Sequence, residues 1–447
     1  MKKLQWLGCL SLLISVSTMA QDFPGYRAGN YTGVNGVFFN PSNIVDSRYK
    51  FDINLFSLNT SLGNSSASFK LEDLGNSFDT DSIKTQLFGD KAGPASGLLS
   101  VNLVGPSFMF NVGKKMSFAL TTRARTIVNI KNIDGKLANK LMDDFSEDAD
   151  LPYSISSNEN MIVSANGWAE FGASMGRVLM NKGKHFLKGG ITLKYLAGAA
   201  NSHLYINKLN ATLNEDAVAD DYYLTNGSGT LGVGFGGAKI FGDDFQADDL
   251  LAFKSTGFGG DIGFVYEYRP DESIQSREAN KYRFRVGAAL LDVGTIKYVK
   301  DMSRSGAYTI DIDGADKFYL SEMDDVELDD YKSKLDDLPD YFTPAAGNGE
   351  SNLKVSLPTT LQVDVDYHIY RGFYLNAAGQ FSLSKLEKKP YNSQYYNGFT
   401  ATPRFEGRAF GLYVPINYND LTKLNAGVSL RMGPLFVGSG SILTALM

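Results

Sequence analysis

The sequence predicts an all-β chain, a transmembrane antiparallel β-barrel of about 12–14 strands, the last of them either missing from this chain or replaced by an irregular tail. Three observations predict it. Apolar and polar residues alternate over segments of ten residues or more, longer than ordinary soluble strands. Short and long connections between those segments take turns along the chain. The composition, with 46 Gly, 24 Tyr and 29 Phe in 447 residues against 13 Pro and 2 Trp, suits strands and tight turns. Charge sets a further bound: 43 basic and 49 acidic side chains leave no basic excess to neutralise phosphates, so nucleic acid is not an expected partner.

The chain begins with an export signal over residues 1–20. Met1-Lys2-Lys3 gives a positive start, Leu4 to Val16 an apolar stretch, and Ser17-Thr18-Met19-Ala20 the small residues before a cut at Gln21. The single cysteine, Cys9, falls inside this signal and stands too near the start for a lipidation site. Losing Lys2 and Lys3 leaves 41 basic and 49 acidic residues, a mature net charge of −8 on a chain without thiols. Residues 21–48 carry Gly25, Gly29, Gly33, Gly36, Pro24 and Pro41 ahead of the first strand. They form either a plug inside the barrel or a leader.

Strands fill residues 49–447. Met116 to Ile130 sets Ser117, Thr121, Arg123 and Arg125 on the face opposite Phe118, Leu120 and Ala124. Leu187, Ile191, Leu193 and Tyr195 oppose Lys188, Thr192 and Lys194; Phe258, Ile262, Phe264, Tyr266 and Tyr268 oppose Asp261, Glu267 and Arg269. Tyr282, Phe284, Val286 and Leu290 oppose Lys281, Arg283 and Arg285; Leu361, Val363, Val365, Tyr367 and Ile369 oppose Gln362, Asp364, Asp366 and His368. In a membrane barrel the apolar set faces lipid and the polar set the lumen. Strands rising from the periplasm are expected near 49–70, 116–131, 186–206, 281–299, 373–385 and 421–432. Returning strands are expected near 97–112, 160–180, 252–269, 353–369 and 399–416.

Short periplasmic turns fall at Gly113-Lys114-Lys115, Asn181 to Lys184, Tyr370 to Gly372 and Asn417 to Asn419, with a longer one from Pro270 to Asn280. Long external stretches occupy 73–96, 132–158, 207–250, 301–350 and 386–398. A hairpin inside 207–250, with Leu231-Gly232-Val233-Gly234-Phe235 as one arm, would raise the strand count. Eleven strands that start upward end outside. Closure therefore needs one more descending strand, and the tail after Arg431 is too short and irregular to be one. An open edge in lipid leaves peptide groups unpaired at several kcal/mol each. The chain is accordingly expected to be incomplete at its C-terminus, or its tail to pair irregularly with the first strand.

Asn40-Pro41-Ser42, following Gly33 to Phe39, resembles the Asn-Pro-Ala-type signature near the start of long-chain fatty-acid-channel outer-membrane proteins. Asn166-Gly167-Trp168-Ala169-Glu170-Phe171-Gly172, Gly287 to Gly294, Leu357-Pro358, Thr402 to Glu406 and Arg431 to Gly438 are similar to stretches of an uncharacterised Bacteroidota outer-membrane β-barrel family, itself distantly similar to those channels. The resemblance implies a Gram-negative outer-membrane location after Sec export. It also implies either a hydrophobic-substrate channel or a subunit of an assembly, and it carries no catalytic residues over.

Candidate lumen-lining residues have both signs: Arg123, Arg125, Lys188, Lys194, Arg283 and Arg285 against Glu170, Asp261, Glu267, Asp364 and Asp366. They either pair into a network that fills a narrow lumen or line a path for an anionic solute. Residues 301–350 hold fourteen acidic and four basic side chains, and Asp324 to Asp337 suggests a short acidic helix over the mouth. Asp311-Ile312-Asp313-Gly314-Ala315-Asp316 spaces carboxylates somewhat like a calcium loop but lacks the distal Glu, so solvated surface charge is expected there. No metal site or cofactor is expected from three scattered histidines, His185, His203 and His368. His368 with Asp364 or Asp366 lacks a Ser partner, so catalysis is not expected. Two functions remain: a channel or transporter for a small hydrophobic or anionic solute, and a non-transporting scaffold serving a surface, secretion or gliding assembly. The only other partner expected is outer-membrane lipid.

Overall fold

The computed structural model describes residues 23, 25–65, 94–113, 115–134, 151–157, 160–238, 255–274, 276–327, 330–345 and 350–446. The expected export signal over residues 1–20, Cys9 and most of the 73–96 stretch lie outside them.

The first pass of the wall is β1 (Phe51–Asn54) continued by β2 (Ser57–Asn64), and the second is β3 (Ala95–Val104) continued by β4 (Ser107–Val112). β5 (Met116–Ile133), β6 (Tyr153–Ser156), β7 (Met161–Lys182), β8 (His185–Asp216) and β9 (Asp221–Gly237) follow. Then come β10 (Ser255–Tyr268), β11 (Phe284–Val299), β12 (Gly306–Ile312), β13 (Phe318–Tyr319), the short helix α1 (Tyr331–Asp336) and β14 (Phe342–Pro344). The last stretch holds β15 (Asn352–Ser356), β16 (Thr360–Tyr370), β17 (Phe373–Ser382), β18 (Gly398–Glu406), β19 (Phe410–Tyr413) and β20 (Ile416–Asn419). β21 (Lys423–Ala426), β22 (Val428–Met432), β23 (Leu435–Ser439) and α2 (Ile442–Ala445) end it. All 23 segments belong to one antiparallel sheet.

Five segments (β6, β9, β12, β13 and β14) stand outside the wall and five pairs continue one another, so the described residues make thirteen successive wall passes. Neighbours in sequence are neighbours in space, as in a meander with short turns at one end. Polar side chains of the wall point inward and are buried, Lys194 at 5% and Asp261 at 6% exposure, while Leu193 (68%) and Phe258 (74%) between them lie open. A soluble sheet would reverse this, because exposed apolar surface costs about 25 cal/mol per Å² in water. The outer face is therefore a lipid-facing band, edged by ring pairs such as Phe373–Phe405 at 5.0 Å and Tyr195–Phe258 at 5.8 Å.

The wall curls round residues 25–48, three short 3₁₀ turns over Tyr26–Ala28, Gly33–Phe38 and Pro41–Ile44. Contacts of this segment run the whole way round. The Val34 N–H donates to Asp52 on β1 at 2.8 Å, and Val34, Val37 and Ile44 pack on Met109 of β4 and Ala119 of β5. Lys188 on β8 donates to the Val45 carbonyl at 2.9 Å. Asn30 N–H donates to Glu406 on β18 at 3.0 Å, and the Tyr26 ring lies 4.4 Å from that of Phe436 on β23. Residues 25–48 thus occupy the lumen.

Several sequence expectations are corrected. The strand expected over 399–416 turns back at Gly407-Arg408-Ala409, where the Gly407 N–H bonds the Phe410 carbonyl, and returns as β19 and β20. The turn after Asn419 therefore sits at the opposite end of the wall from the one expected, and β21–β22 runs the other way. The tail forms β23, paired with β22 rather than with the first strand. Among the described residues no ladder joins β23 to β1 or β2. Phe23 bridges that seam together with Tyr26, donating its N–H to Asn59 of β2 at 2.9 Å.

The hairpin inside 207–250 exists as β8–β9, but its arms extend β8 beyond the wall: residues 185–198 pair with β10 and 200–216 with β9. Residues 301–350 are not a merely solvated loop. Their β12 pairs with β9 and β14, and α1 lies on them. Leu335, Tyr308, Ile310, Phe318 and Leu213 close an apolar core there, with Tyr308 Oη donating to Asp336 at 2.6 Å. Burying Leu335 alone is worth about 2 kcal/mol. Among the described residues of 324–337 a helix does form, the six residues of α1.

Candidate functional site: the lumen and its plug

Three groups of charged side chains line the lumen. The first spans β5 to β11. Arg123 Nη2 and Arg125 Nη1 meet Glu170 at 2.7 and 3.0 Å, Arg125 reaches Asp292 at 2.9 Å, and Lys194 reaches Asp292 at 2.5 Å and Asp261 at 2.8 Å. Three cations face three carboxylates, so the layer is neutral; paired charges can remain buried where lone ones could not. Trp168 Nε1 donates to Glu170 at 2.7 Å, and the Tyr395 hydroxyl accepts from Arg125 at 2.9 Å.

Asp292 enters this layer through a bulge. Gly260 pairs with Val293 and Ile262 with Leu290, so Leu291 and Asp292 together oppose Asp261. Asp292 has φ +57°, and its N–H donates to Asp261 Oδ1 at 2.7 Å. A bulge re-aims side chains and flips the phase of the strand beyond it. A count of alternate residues from Val286 puts Asp292 outside; the bulge turns it in.

The second group sits near the short-turn end. Asp46 of the lumen segment pairs with Arg269 at 2.6 Å and with Lys281 at 2.9 Å, Arg269 also meets Glu267 at 2.5 Å, and Lys188 lies 4.0 Å from Glu267. Burial works against the charge on Asp46, but Arg269, Lys281 and Lys188 outweigh it and hold the carboxyl below its ordinary range. The third group joins Arg404 to Asp366 at 2.5 Å and to Glu406 at 3.3 Å, with Tyr282 Oη donating to Asp366 at 2.5 Å.

Of the eleven residues singled out in the sequence, Arg123, Arg125, Glu170, Lys194 and Asp261 share the first group and Lys188 and Glu267 the second. Asp366 belongs to the third, and Arg285 lies 3.7 Å from Asp364. Arg283, expected in the lumen, is on the outer face, its Nε 3.0 Å from the Tyr367 hydroxyl. Arg283 and Phe284 are successive outward residues just where the β11 ladder starts, and this slip turns Tyr282 inward instead. His368, weighed beside Asp364 and Asp366, bonds the Arg371 carbonyl at 2.7 Å while Asp366 is held by Arg404. Among the described residues no three His, Cys, Asp or Glu side chains are grouped to hold a metal. Sequence reasoning missed Asp292, Arg404, Glu406, Tyr282, Asp46 and Tyr395. Arg404 and Glu406, opposite charges two apart, were the readable signal.

The lumen segment docks in a glycine-lined cradle. Gly176, Gly190 and Gly263 are register partners on β7, β8 and β10. A Cβ on Gly190 would come within 2.5 Å of the Pro41 carbonyl carbon, one on Gly176 within 3.1 Å of Ile44, and one on Gly263 would collide with the Asn40 amide oxygen. Asn40 Nδ2 donates to the Phe264 and Ala288 carbonyls at 3.1 and 3.2 Å, while its Oδ1 accepts from Ser42 N at 3.0 Å and caps the turn. At the other end residues 391–394 fold inward: Asn166 and Asn201 donate to the Tyr391 carbonyl at 3.2 and 3.0 Å, Ser164 to that of Asn392 at 3.1 Å, and Asn129 to that of Gln394 at 2.8 Å. The lumen is filled from both sides of the neutral charged layer.

The model of a family described as "Family of unknown function (DUF5723)" matches residues 41–440. No curated protein matches the chain. Among solved structures, the toluene transporter TodX of Pseudomonas putida is 9% identical with a TM-score of 0.35, covering 95% of each chain. The ferric yersiniabactin uptake receptor FyuA of Yersinia pestis is 8% identical with a TM-score of 0.24, over 85% of this chain and 46% of that one. The outer membrane protease OmpT of Escherichia coli is 8% identical with a TM-score of 0.22, over 87% and 93%.

Proposed function

We propose that this chain, which belongs to the family of unknown function DUF5723, is an outer-membrane channel for a small solute, held shut by its own N-terminal segment. The observation that carries the reading is the fit of Asn40-Pro41-Ser42 into the Gly176–Gly190–Gly263 cradle, a removable peg in a wall that is otherwise rolled round a polar interior. Beside the apolar packing of Val34, Val37 and Ile44, the segment is held by polar and exchangeable bonds, the Asn40 amide on two carbonyls and Asp46 on Arg269 and Lys281. A binding event that replaces some of these hydrogen bonds, each worth about 0.5–1.5 kcal/mol net, shifts the segment toward release. The apolar outer band supports the membrane location, and the end with the folded lobe is read as the external one. The test is single-channel conductance in planar bilayers. A chain lacking residues 24–44 conducts more than the full chain; equal conductance overturns the plug.

A second reading has its own observation. The lobe of β9, β12–β14 and α1 has an apolar core and an acidic surface, which suits docking of a surface or secretion partner better than a pore rim needs. A partner lost on removing residues 303–345, with solute permeation absent throughout, would favour it.

A further inference from the structure

The seam between the lumen segment and the wall contains two small cavities, of about 40 and 20 Å³. Both are lined by Arg285. Across the two, the cations are Arg27, Arg48, Lys188, Arg269, Lys281 and Arg285, and the carboxylates are Asp46, Glu267 and Asp364. Asp46 and Glu267 are already engaged by Arg269 and Lys281, so the positive excess falls on the rest. This sets the seam apart from the neutral layer above it.

Arg285 is the residue left over. It is 8% exposed, its Nε is buried without a hydrogen-bond partner, and its nearest carboxylate oxygen, on Asp364, is 3.7 Å away, beyond hydrogen-bond reach. A guanidinium has five N–H donors in a fixed fork, and a buried donor without a partner costs about 1–3 kcal/mol. No aliphatic side chain lines the larger cavity, which excludes an acyl tail; 40 Å³ is room for about three waters or the head of one small oxyanion. We propose that the seam binds a small hydrophilic oxyanion, a carboxylate or phosphate group, through Arg285 of the wall, with Lys188 and the plug's Arg48 beside it. The proposal rests on the plug reading for its consequence: an anion held between plug and wall stabilises the shut state by linkage.

The full chain, folded in detergent, is titrated calorimetrically with acetate and, separately, with inorganic phosphate. Saturable binding of either supports the site, and which one binds names the oxyanion. Arg285→Gln weakens that binding by about tenfold or more, as expected for a lost charged hydrogen bond. Arg285→Lys restores part of it, and Arg283→Gln on the outer face leaves it unchanged. Heat-modifiable gel mobility confirms that each variant is folded. No saturable binding of either anion, or equal binding by wild type and Arg285→Gln, overturns the proposal. Arg285-dependent binding beside unchanged conductance of the 24–44 deletion would retain the site and remove the plug reading, so the two fail separately.

Discussion

Gly263 on β10 and Asn40 of the lumen segment occupy one another's space: the place where a Cβ would stand on Gly263 is filled by the Asn40 amide oxygen, and the Asn40 nitrogen bonds the carbonyl of the next residue, Phe264, at 3.1 Å. A methyl at this position cannot be absorbed by a neighbouring rotamer, because the amide is fixed by its bonds to Phe264, Ala288 and Ser42. Gly263→Ala should cost about 1–3 kcal/mol as an overpacked site. Its measured signature is raised conductance and faster trypsin cleavage within residues 25–48, with the wall still heat-modifiable.

Asn40→Ala removes the same contact from the other side. It leaves two backbone carbonyls without the amide donor and uncaps the turn at Pro41. The expected loss is about 1–3 kcal/mol of plug docking. Paired with Gly263→Ala in a double-mutant cycle, the second change should add little to the first, since both abolish one interaction.

Acid should loosen the plug through Asp46. Its carboxyl titrates below the ordinary range when docked, because Arg269, Lys281 and Lys188 outweigh its burial. The docked state thus binds fewer protons than the released one. Docking is fully favoured above the ordinary carboxylate range and weakens as pH falls through it toward the lowered value. Conductance of the wild type should rise on that descent. Asp46→Asn should already conduct at neutral pH and change less on acidification.

Breaking the Arg404–Asp366 pair should damage the wall itself. Both side chains are fully buried, and Tyr282 shares the carboxylate. Asp366→Ala leaves a buried guanidinium with Glu406, at 3.3 Å, as its remaining carboxylate, at a cost of about 3–5 kcal/mol. The thermal midpoint of heat-modifiable migration should fall accordingly.

Leu335→Ala tests whether the outer lobe is a folded unit. A cavity at this fully buried position should cost about 2–5 kcal/mol. Protease cuts should appear between 313 and 341 while wall migration on gels stays unchanged.

Much of the wall was legible because the period-two pattern reports which face meets lipid. Leu361 to Ile369 against Gln362 to His368 could be assigned on parity alone. Parity fails wherever the ladder slips: Asp292 was hidden by the bulge at Leu291, and Arg283 was misassigned because the chain changes phase just before β11 begins. The reversal at Gly407 is masked because the alternation of Ala401 to Glu406 carries on in phase through Arg408 and Ala409, although Gly407-Arg408-Ala409 carries a turn signal. The lobe was misread for a different reason. Its fourteen acidic residues dominate composition, while the apolar residues that build its core, Tyr308, Ile310, Phe318 and Leu335, are few and far apart in sequence. Pairings such as Arg125 with Asp292 depend on curling the sheet, which no local pattern encodes.

β8 runs unbroken from His185 to Asp216, 32 residues, which at about 3.3 Å per residue comes to about 105 Å. Its foot carries Gly190 against Pro41 and Lys194 within the charged layer, and its head is a beam of the lobe. Tension or a tilt applied to the exposed head would be delivered by covalent backbone to the very residues that grip the lumen segment. The molecule has the build of a lever whose short arm ends at its own stopper.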